Sequence, residues 1–540
     1  MRSLYLGLFL LICHAQEVFA QGPTISVAVN AASNLPPGLP NSGIAQGALM
    51  IIYGTNLGPS TLSVVPAYPI PTTLAGTSVQ ITSLGRSIDA LMYYTSATQV
   101  AAIVPSTTPL GPATVAVTYN GRVSAFAQIA IVQNNVGLYT VNSQGTSNAV
   151  VTFSDYSYVT PSNAANPGET VVLWANGLGP ITTDDSQLPK SADMTNVPLE
   201  VFIGGKSAKV LFHGRNSCCA SLDQINVLIP NIAVGCRTAI VMKIGTQVSN
   251  TVTFPTTATG RTCTTNDAST TTSDFQALTT KSTATLGQIA LLRSNITTTG
   301  VGNAITTSQL DAGSAIFYKY VAPYSNAVGD LIDSPSPGSC TISVNQSGGA
   351  PAPATQFLDA GESIAIVGPN GVRAFAKQAG PTSIAYSNNL GANYLDAGQY
   401  TLSAPGGPSA GSFSASLNFP RSFVWVNQAS SLVINRSNGA TVTWVSDGSG
   451  FVQISGQSIA NTSASSSVAV RFDCVAQASD GSFTLPPAVL LALPPTASTS
   501  LGTLTVGNVN NHVPFKATGI DHGYIYFGIN SLNLGIVTYQ

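Results

Sequence analysis

Charge is what this sequence has least of. Lys, Arg, Asp and Glu make up 7% of its 540 residues, against about 25% in an average soluble domain. Its polarity comes instead from Thr, Ser, Asn and Gly. With 19 Lys and Arg against 21 Asp and Glu, net −2, no basic surface is available to neutralise phosphates, which excludes a nucleic-acid binder. Metal-ligand spacing is missing too: no C-x-x-C pair occurs, and His213, His512 and His522 form no ligand pair with the cysteines, which excludes a zinc site. Long apolar runs are absent beyond the first twenty residues. The best one, Ala488 to Leu493, is fenced by Pro486, Pro487, Pro494 and Pro495 and falls well short of the ~20 residues that span a bilayer, so no transmembrane segment is expected there.

What is present begins with Arg2, an apolar run from Leu4 to Cys13, and Val18-Phe19-Ala20. That is the layout of a secretory signal peptide; residues 1–20 are expected to be removed, leaving a secreted or cell-surface chain that starts at Gln21. Six cysteines then remain, Cys218, Cys219, Cys236, Cys263, Cys340 and Cys474, and an even number in an exported chain favours disulfides. Neighbouring Cys218 and Cys219 would close only a strained ring. The expected pairing therefore joins one of them to Cys236 and the other to Cys263, leaving Cys340 with Cys474, among the many connectivities that six cysteines allow.

Self-similarity carries the most information. GALMIIYGTNLGP at 47–59 aligns without a gap with GETVVLWANGLGP at 168–180, Thr98-Gln99-Val100 corresponds to Asp223-Gln224-Ile225, and Gly121 to Ser124 faces Gly245 to Ser249. Each copy is a series of short Val-, Ile-, Tyr- and Thr-rich runs punctuated by Gly, Pro and Asn, the pattern of a β-sandwich. Alternation in Ala113 to Tyr119 directs Val115, Val117 and Tyr119 to one face. The ungapped alignment places Tyr53 and Trp174 at matching positions on equivalent strands.

The repeated G-x-N-L-G element, the following Val-Pro or Ile-Pro pair and the closing β run resemble the Ig-like fold called IPT/TIG, found in plexins and transcription factors. In the first copy, Asn30-Ala31-Ala32-Ser33, Tyr53 to Gly58, Pro69 to Gly76 and Ser96 to Gln99 resemble the ordered elements of a bacterial extracellular module of that type. The resemblance covers about residues 25–255. It implies a fold and an extracellular role as spacer, adhesion unit or accessory domain, and it brings no catalytic residues. The second copy departs from it by carrying Cys218, Cys219 and Cys236.

The expected organisation is all-β: Ig-like domains at 21–133 and 134–256, a Thr- and Ser-rich linker at 257–274, and a β-rich region of one or two domains at 275–540. In that last region Leu-Asp-Ala-Gly recurs at 310–313, 358–361 and 395–398 and reads each time as a turn entering a hairpin.

Candidate chemistry is sparse. Gly407 to Gly411 matches G-x-S-x-G, but an alternating strand follows where a nucleophile elbow needs a helix. Asp521 and His522 are adjacent before a strand, so they point to opposite faces. Asp184, Asp185, Asp311, Asp359 and Asp396 form no EF-hand; turn aspartates are the default reading and structural calcium the alternative. No cofactor is otherwise called for. Tyr93, Tyr94, Trp425 and Trp444 are candidates for stacking on sugar rings, weighed against core packing, and adjacent tyrosines are expected to point to opposite faces. A non-enzymatic binding or structural protein follows, with an extracellular protein or polysaccharide as partner. The alternative is a secreted hydrolase whose catalytic domain is the C-terminal region.

Overall fold

The computed structural model describes residues 21–540 except 191, 268, 300–303, 325–326, 347–355, 381, 421, 464–465, 497–501 and 510–511. The signal-peptide reading of residues 1–20 lies outside the described residues. The fold is all-β, and no helix among the described residues is long and apolar enough to cross a membrane.

The first repeat folds as two facing sheets. Leu49–Thr55 lies between Thr24–Asn30 and Gln99–Ile103, and Leu91–Thr95 extends that sheet. The second sheet centres on Gly111–Tyr119, paired with Thr77–Ser83 and Ala127–Val132. Period-two alternation sends Met50, Ile52, Val100 and Ala102 inward against Val79, Ile81, Val115 and Val117, and all eight are fully buried. Asn120 and Gly121 take positive φ at 48° and 78°, which turns the chain tightly from Gly111–Tyr119 into Arg122–Val123.

The second repeat builds its own core on Val171, Leu173, Ile225, Val227, Ile240, Met242 and Phe254. Lys206–Arg215 ties its strands together by pairing at Lys206 to Ala208 with Leu199–Ile203 and, from Lys209 onward across an irregularity at Val210/Phe212, with Asp223–Leu228. The sequence repeat is also a register repeat. Tyr53 stands opposite Gln99 and Trp174 opposite Gln224, while the turn leucines Leu57 and Leu178 are both fully buried.

Among the described residues the C-terminal region is built on a 14-stranded sheet, accompanied by a three-stranded and a two-stranded sheet. Its centre is a hairpin of two 17-residue strands, Thr283–Thr299 and Ile305–Val321, flanked by the parallel strand His522–Leu534. Phe413 stacks on Phe515 at 4.5 Å, and Phe317 packs within 6.2 Å of both in the largest hydrophobic core. Asp359 accepts from the Gly361 N–H in a turn, as the Leu-Asp-Ala-Gly reading expects. Leu310 to Gly313 corrects that reading, because it lies inside a strand rather than at a hairpin entry. The strand tolerates fully buried Asp311 because Arg293, its cross-strand partner, donates to both carboxylate oxygens at 2.8 Å.

Residues 257–274, read from sequence as a linker, are tied to both neighbours. Cys263 is bonded to Cys236, Asp267 is buried and meets His512 Nδ1 at 2.6 Å, and the helix Thr272–Thr279 starts here, capped by the Thr271 hydroxyl, which accepts from the Asp274 N–H. The second repeat also packs on the C-terminal region, with Phe202, Val241 and Val248 against Ala488 and Leu491.

Candidate functional site

The outer face of the second sandwich gathers its features from three neighbouring strands. Trp174 leaves the sheet on the side away from the core residues Leu173 and Ala175, and is half-buried. Its indole N–H donates to Thr152 Oγ1 at 3.1 Å, which fixes the ring. Tyr156 stacks over it, with centroids 6.1 Å apart and planes at 27°. Tyr156 is 60% exposed and has a φ of 65°, an uncommon conformation for a bulky residue. The turn that holds it is closed by Asp155, whose carboxylate accepts from the N–H and hydroxyl of Ser157. Tyr158 bridges to Thr152, which puts its 64%-exposed ring on the same face.

Amides complete the face. Asn216 donates to Gln224 at 2.6 Å and Gln224 to Asn226 at 2.9 Å, a ladder running beside Trp174 along its partner strand. The arrangement offers fixed rings for the C–H faces of a ligand and uncharged donors and acceptors for its hydroxyls.

The first sandwich carries the same register position with different partners. Tyr53 is half-buried, and its hydroxyl donates to Asn34 Oδ1 at 3.2 Å. Gln99, opposite it, donates to the Tyr94 hydroxyl at 2.6 Å. The expectation that Tyr93 and Tyr94 point to opposite faces is corrected here. A β-bulge between Met92 and Tyr94 breaks the alternation, so both rings pack on the outer-face cluster of Val29, Ile51 and Ala101. Burial pushes the Tyr94 hydroxyl up to about 12 and raises that of Tyr93.

The joint between the sandwiches is built of asparagines and one buried ion pair. Fully buried Asn176 accepts from the Leu49 N–H at 2.9 Å and donates to Leu49 O and Asn30 Oδ1. Asn30 in turn donates to Asn135 O. Ser106 donates through its N–H and its hydroxyl to the two oxygens of Asp185. Arg215 and Asp223, 2% and 0% exposed, meet at 2.8 Å, and Arg215 also donates to Gly179 O. Burial raises the Asp223 carboxyl against the pull of Arg215. Such a network leaves the two sandwiches little freedom to pivot.

Cys218 and Cys219 lie in the hairpin loop that seats this joint, and they are bonded to each other, with Cys236 joined to Cys263 and Cys340 to Cys474. That corrects the pairing of Cys218 and Cys219 with Cys236 and Cys263. The loop is pinned by Ala220 N–H to the Tyr68 hydroxyl and by Ser221 Oγ to Gly47 O, which holds both cysteines far from the bonded Cys236 and Cys263. Cys340 and Cys474 face each other in register on neighbouring strands.

The remaining candidates do not converge. Trp425 and Trp444 are each 3% exposed in the core, their indoles donating to Asn427 Oδ1 and Ala478 O, so they cannot present a ring to a sugar. Ser409 sits in a tight turn whose N–H groups reach Asp359 O, between Gly398–Ala404 and Phe413–Phe419. Asp521 binds Lys281 and Thr285, whereas His522 is buried against Thr270. Asp184, Asp185 and Asp359 are engaged separately by Ser186, Ser106 and Lys377, whereas Asp311 and Asp396 share Arg293, and Asp396 also accepts from Asn370. Among the described residues no three His, Cys, Asp or Glu side chains form a metal cluster. Sequence reasoning missed Tyr156, Tyr158 and the amide ladder; the pairing of Trp174 with Gln224 in the repeat was the available signal.

No family model matches the chain and no curated protein does. Among solved structures it is similar to SGBP-B of the Bacteroides ovatus mixed-linkage glucan utilization locus in complex with a mixed-linkage heptasaccharide, at 14% identity over 40% of this chain and 44% of that one, with a TM-score of 0.19. It is also similar to the plexin A4 extracellular region, at 12% identity over 42% of this chain and 17% of that one, TM-score 0.15. A third similarity is to the surface layer protein SbsC, domains 1–6, at 9% identity over 95% of this chain and 55% of that one, TM-score 0.17. At TM-scores this low none of these likenesses carries an argument about function.

Proposed function

We propose that this chain is an extracellular, non-enzymatic polysaccharide-binding protein, exported by residues 1–20, whose paired IPT/TIG-type domains at 21–133 and 134–256 present one glycan platform. The observation that carries the reading is the Tyr156–Trp174 stack, with Tyr156 60% exposed, beside half-buried Gln224 and Asn226 on the outer sheet face, where buried Asn216 anchors the amide ladder. Rings held by hydrogen bonds lose little freedom on binding, and uncharged amides suit neutral hydroxyls. The packing of the second sandwich on the C-terminal region, with Phe202, Val241 and Val248 against Ala488 and Leu491, supports a role in holding that face at a set distance from whatever the C-terminal region attaches to. A glycan array probed with the full chain and with Trp174→Ala tests this. At least one neutral polysaccharide should bind the parent chain and be lost from the variant; an array with no neutral glycan bound contradicts the reading.

A further inference from the structure

The long C-terminal sheet carries a second polar feature, far in sequence from Trp174. A cleft of about 210 Å³ opens on one face where Phe451–Ser463, Ser466–Gln477, Thr503–Val509 and His522–Leu534 lie side by side. Glycine makes the dent. Gly507 stands opposite Asn530, and a Cβ at 507 would collide with Asn530 Oδ1, so only glycine lets that amide lie across the floor.

One wall is fixed in advance. Arg471 donates through Nε and Nη2 to the two oxygens of Asp473, at 2.9 and 2.6 Å, and Nη2 reaches Ser455 Oγ at 3.3 Å. Asp473 also accepts from Ser455 at 2.6 Å and Gln453 at 3.1 Å. The guanidinium is thereby neutralised and oriented, so the wall offers directed hydrogen bonds without attracting net charge. The opposite wall is Tyr526, half-buried, with Thr505 and Asn530 between. Among the described residues the side-chain polar groups of Tyr526, Thr505 and Asn530 have no hydrogen-bond partner. The cleft thus combines a locked neutral wall with three uncommitted polar groups, and it is smaller than the ~300–1,000 Å³ of drug-sized pockets.

From this geometry we infer that the cleft is a binding site for one neutral sugar ring, separate from the Trp174 platform. Tyr526 supplies the ring face and, through its hydroxyl, one polar contact, and Thr505, Asn530 and Arg471 supply the remaining hydroxyl contacts. The inference shares only its ligand class with the proposed platform, and the test keeps the two apart. The probe is a panel of glucose, galactose, mannose and N-acetylglucosamine, titrated calorimetrically at millimolar concentrations into full-length chain carrying Trp174→Ala, with ring-proton saturation transfer as a second readout. At least one sugar should bind, and Thr505→Val and Tyr526→Phe, which conserve shape, should each weaken it about tenfold. Arg471→Lys, which keeps charge but loses the fork, should weaken it as well. Absence of binding by all four sugars in the Trp174→Ala chain overturns the inference, as does binding that Thr505→Val, Tyr526→Phe and Asn530→Ala all leave unchanged. Loss of polysaccharide binding at Trp174 has no bearing on either result.

Discussion

The two sandwiches put an aromatic ring opposite a glutamine at the same place in the same strand pair, and then use it differently. Tyr53 and Gln99 are sealed by Asn34, Tyr94 and a bulge that folds an extra tyrosine onto the face. Trp174 and Gln224, half-buried to the same degree, have other partners: Tyr156 stacks over the ring and Gln224 is drawn into an amide ladder. Two residues further on the roles reverse. Asn176 is buried in the joint, whereas Thr55, its counterpart, is exposed. One fold carries two different outer faces, and the difference resides in side chains that strand patterning alone leaves free.

The turn beside the ring should show the largest difference. Leu178 N–H is held by the Asp223 carboxylate, whereas Leu57 N–H is held by the Ala97 carbonyl. Asp223→Ala strands Arg215 in a site where it is 2% exposed and should cost about 3–5 kcal/mol. The matching Thr98→Ala should cost under about 1 kcal/mol; denaturant unfolding of both variants measures the gap. Next comes the joint: Asn176→Ala unpairs the Leu49 backbone and should cost about 1–3 kcal/mol, against nearly nothing for Thr55→Ala. Hydrogen exchange at Leu49 should rise only in the first.

The second joint, to the C-terminal region, adds a buried carboxyl beside Arg237 to its apolar packing, and so it should respond to pH. Arg237 lies 3.6 Å from Asp330 and donates to Asp333 O, while burial raises the Asp333 carboxyl to about 7. A folded-state value above the unfolded 3.8 means that this contribution to stability is complete below about pH 4 and is lost as pH rises through about 7. Asp333→Asn should flatten the melting temperature across that window. The smallest effect is expected at Cys218 and Cys219. A link of sequence separation 1 closes almost no loop, whereas Cys340–Cys474 closes one of 134. Replacing the first pair by serine should change stability by under about 1 kcal/mol and the second by about 5 kcal/mol.

The repeat was legible because its turn makes demands that only certain residues meet. Asn56 and Gly177 both take positive φ, at 55° and 106°, ahead of a leucine with no exposure. The all-β character was legible for the same reason, since alternation around Val115 and Val117 needs no tertiary information. Tyr93 and Tyr94 were misread because a bulge is set by the neighbouring strand and not by the two residues themselves. Leu310 to Gly313 was misread because what keeps Asp311 inside a strand is Arg293, eighteen positions away. The candidate face was only half visible: Trp174 and Gln224 stand out in the alignment, but Tyr156 reaches them through a turn whose geometry depends on Asp155.

Tryptophan fluorescence tests the central claim most directly, because Trp425 and Trp444 are buried and only Trp174 is placed to report a ligand. A neutral polysaccharide titrated into the full chain should shift the emission to the blue with saturation, Tyr53→Ala should leave the titration unchanged, and Gln224→Leu should weaken it about tenfold. Polysaccharide binding that leaves the emission untouched, or that is lost with Tyr53→Ala and kept with Trp174→Ala, would contradict the assignment of the platform to the second sandwich.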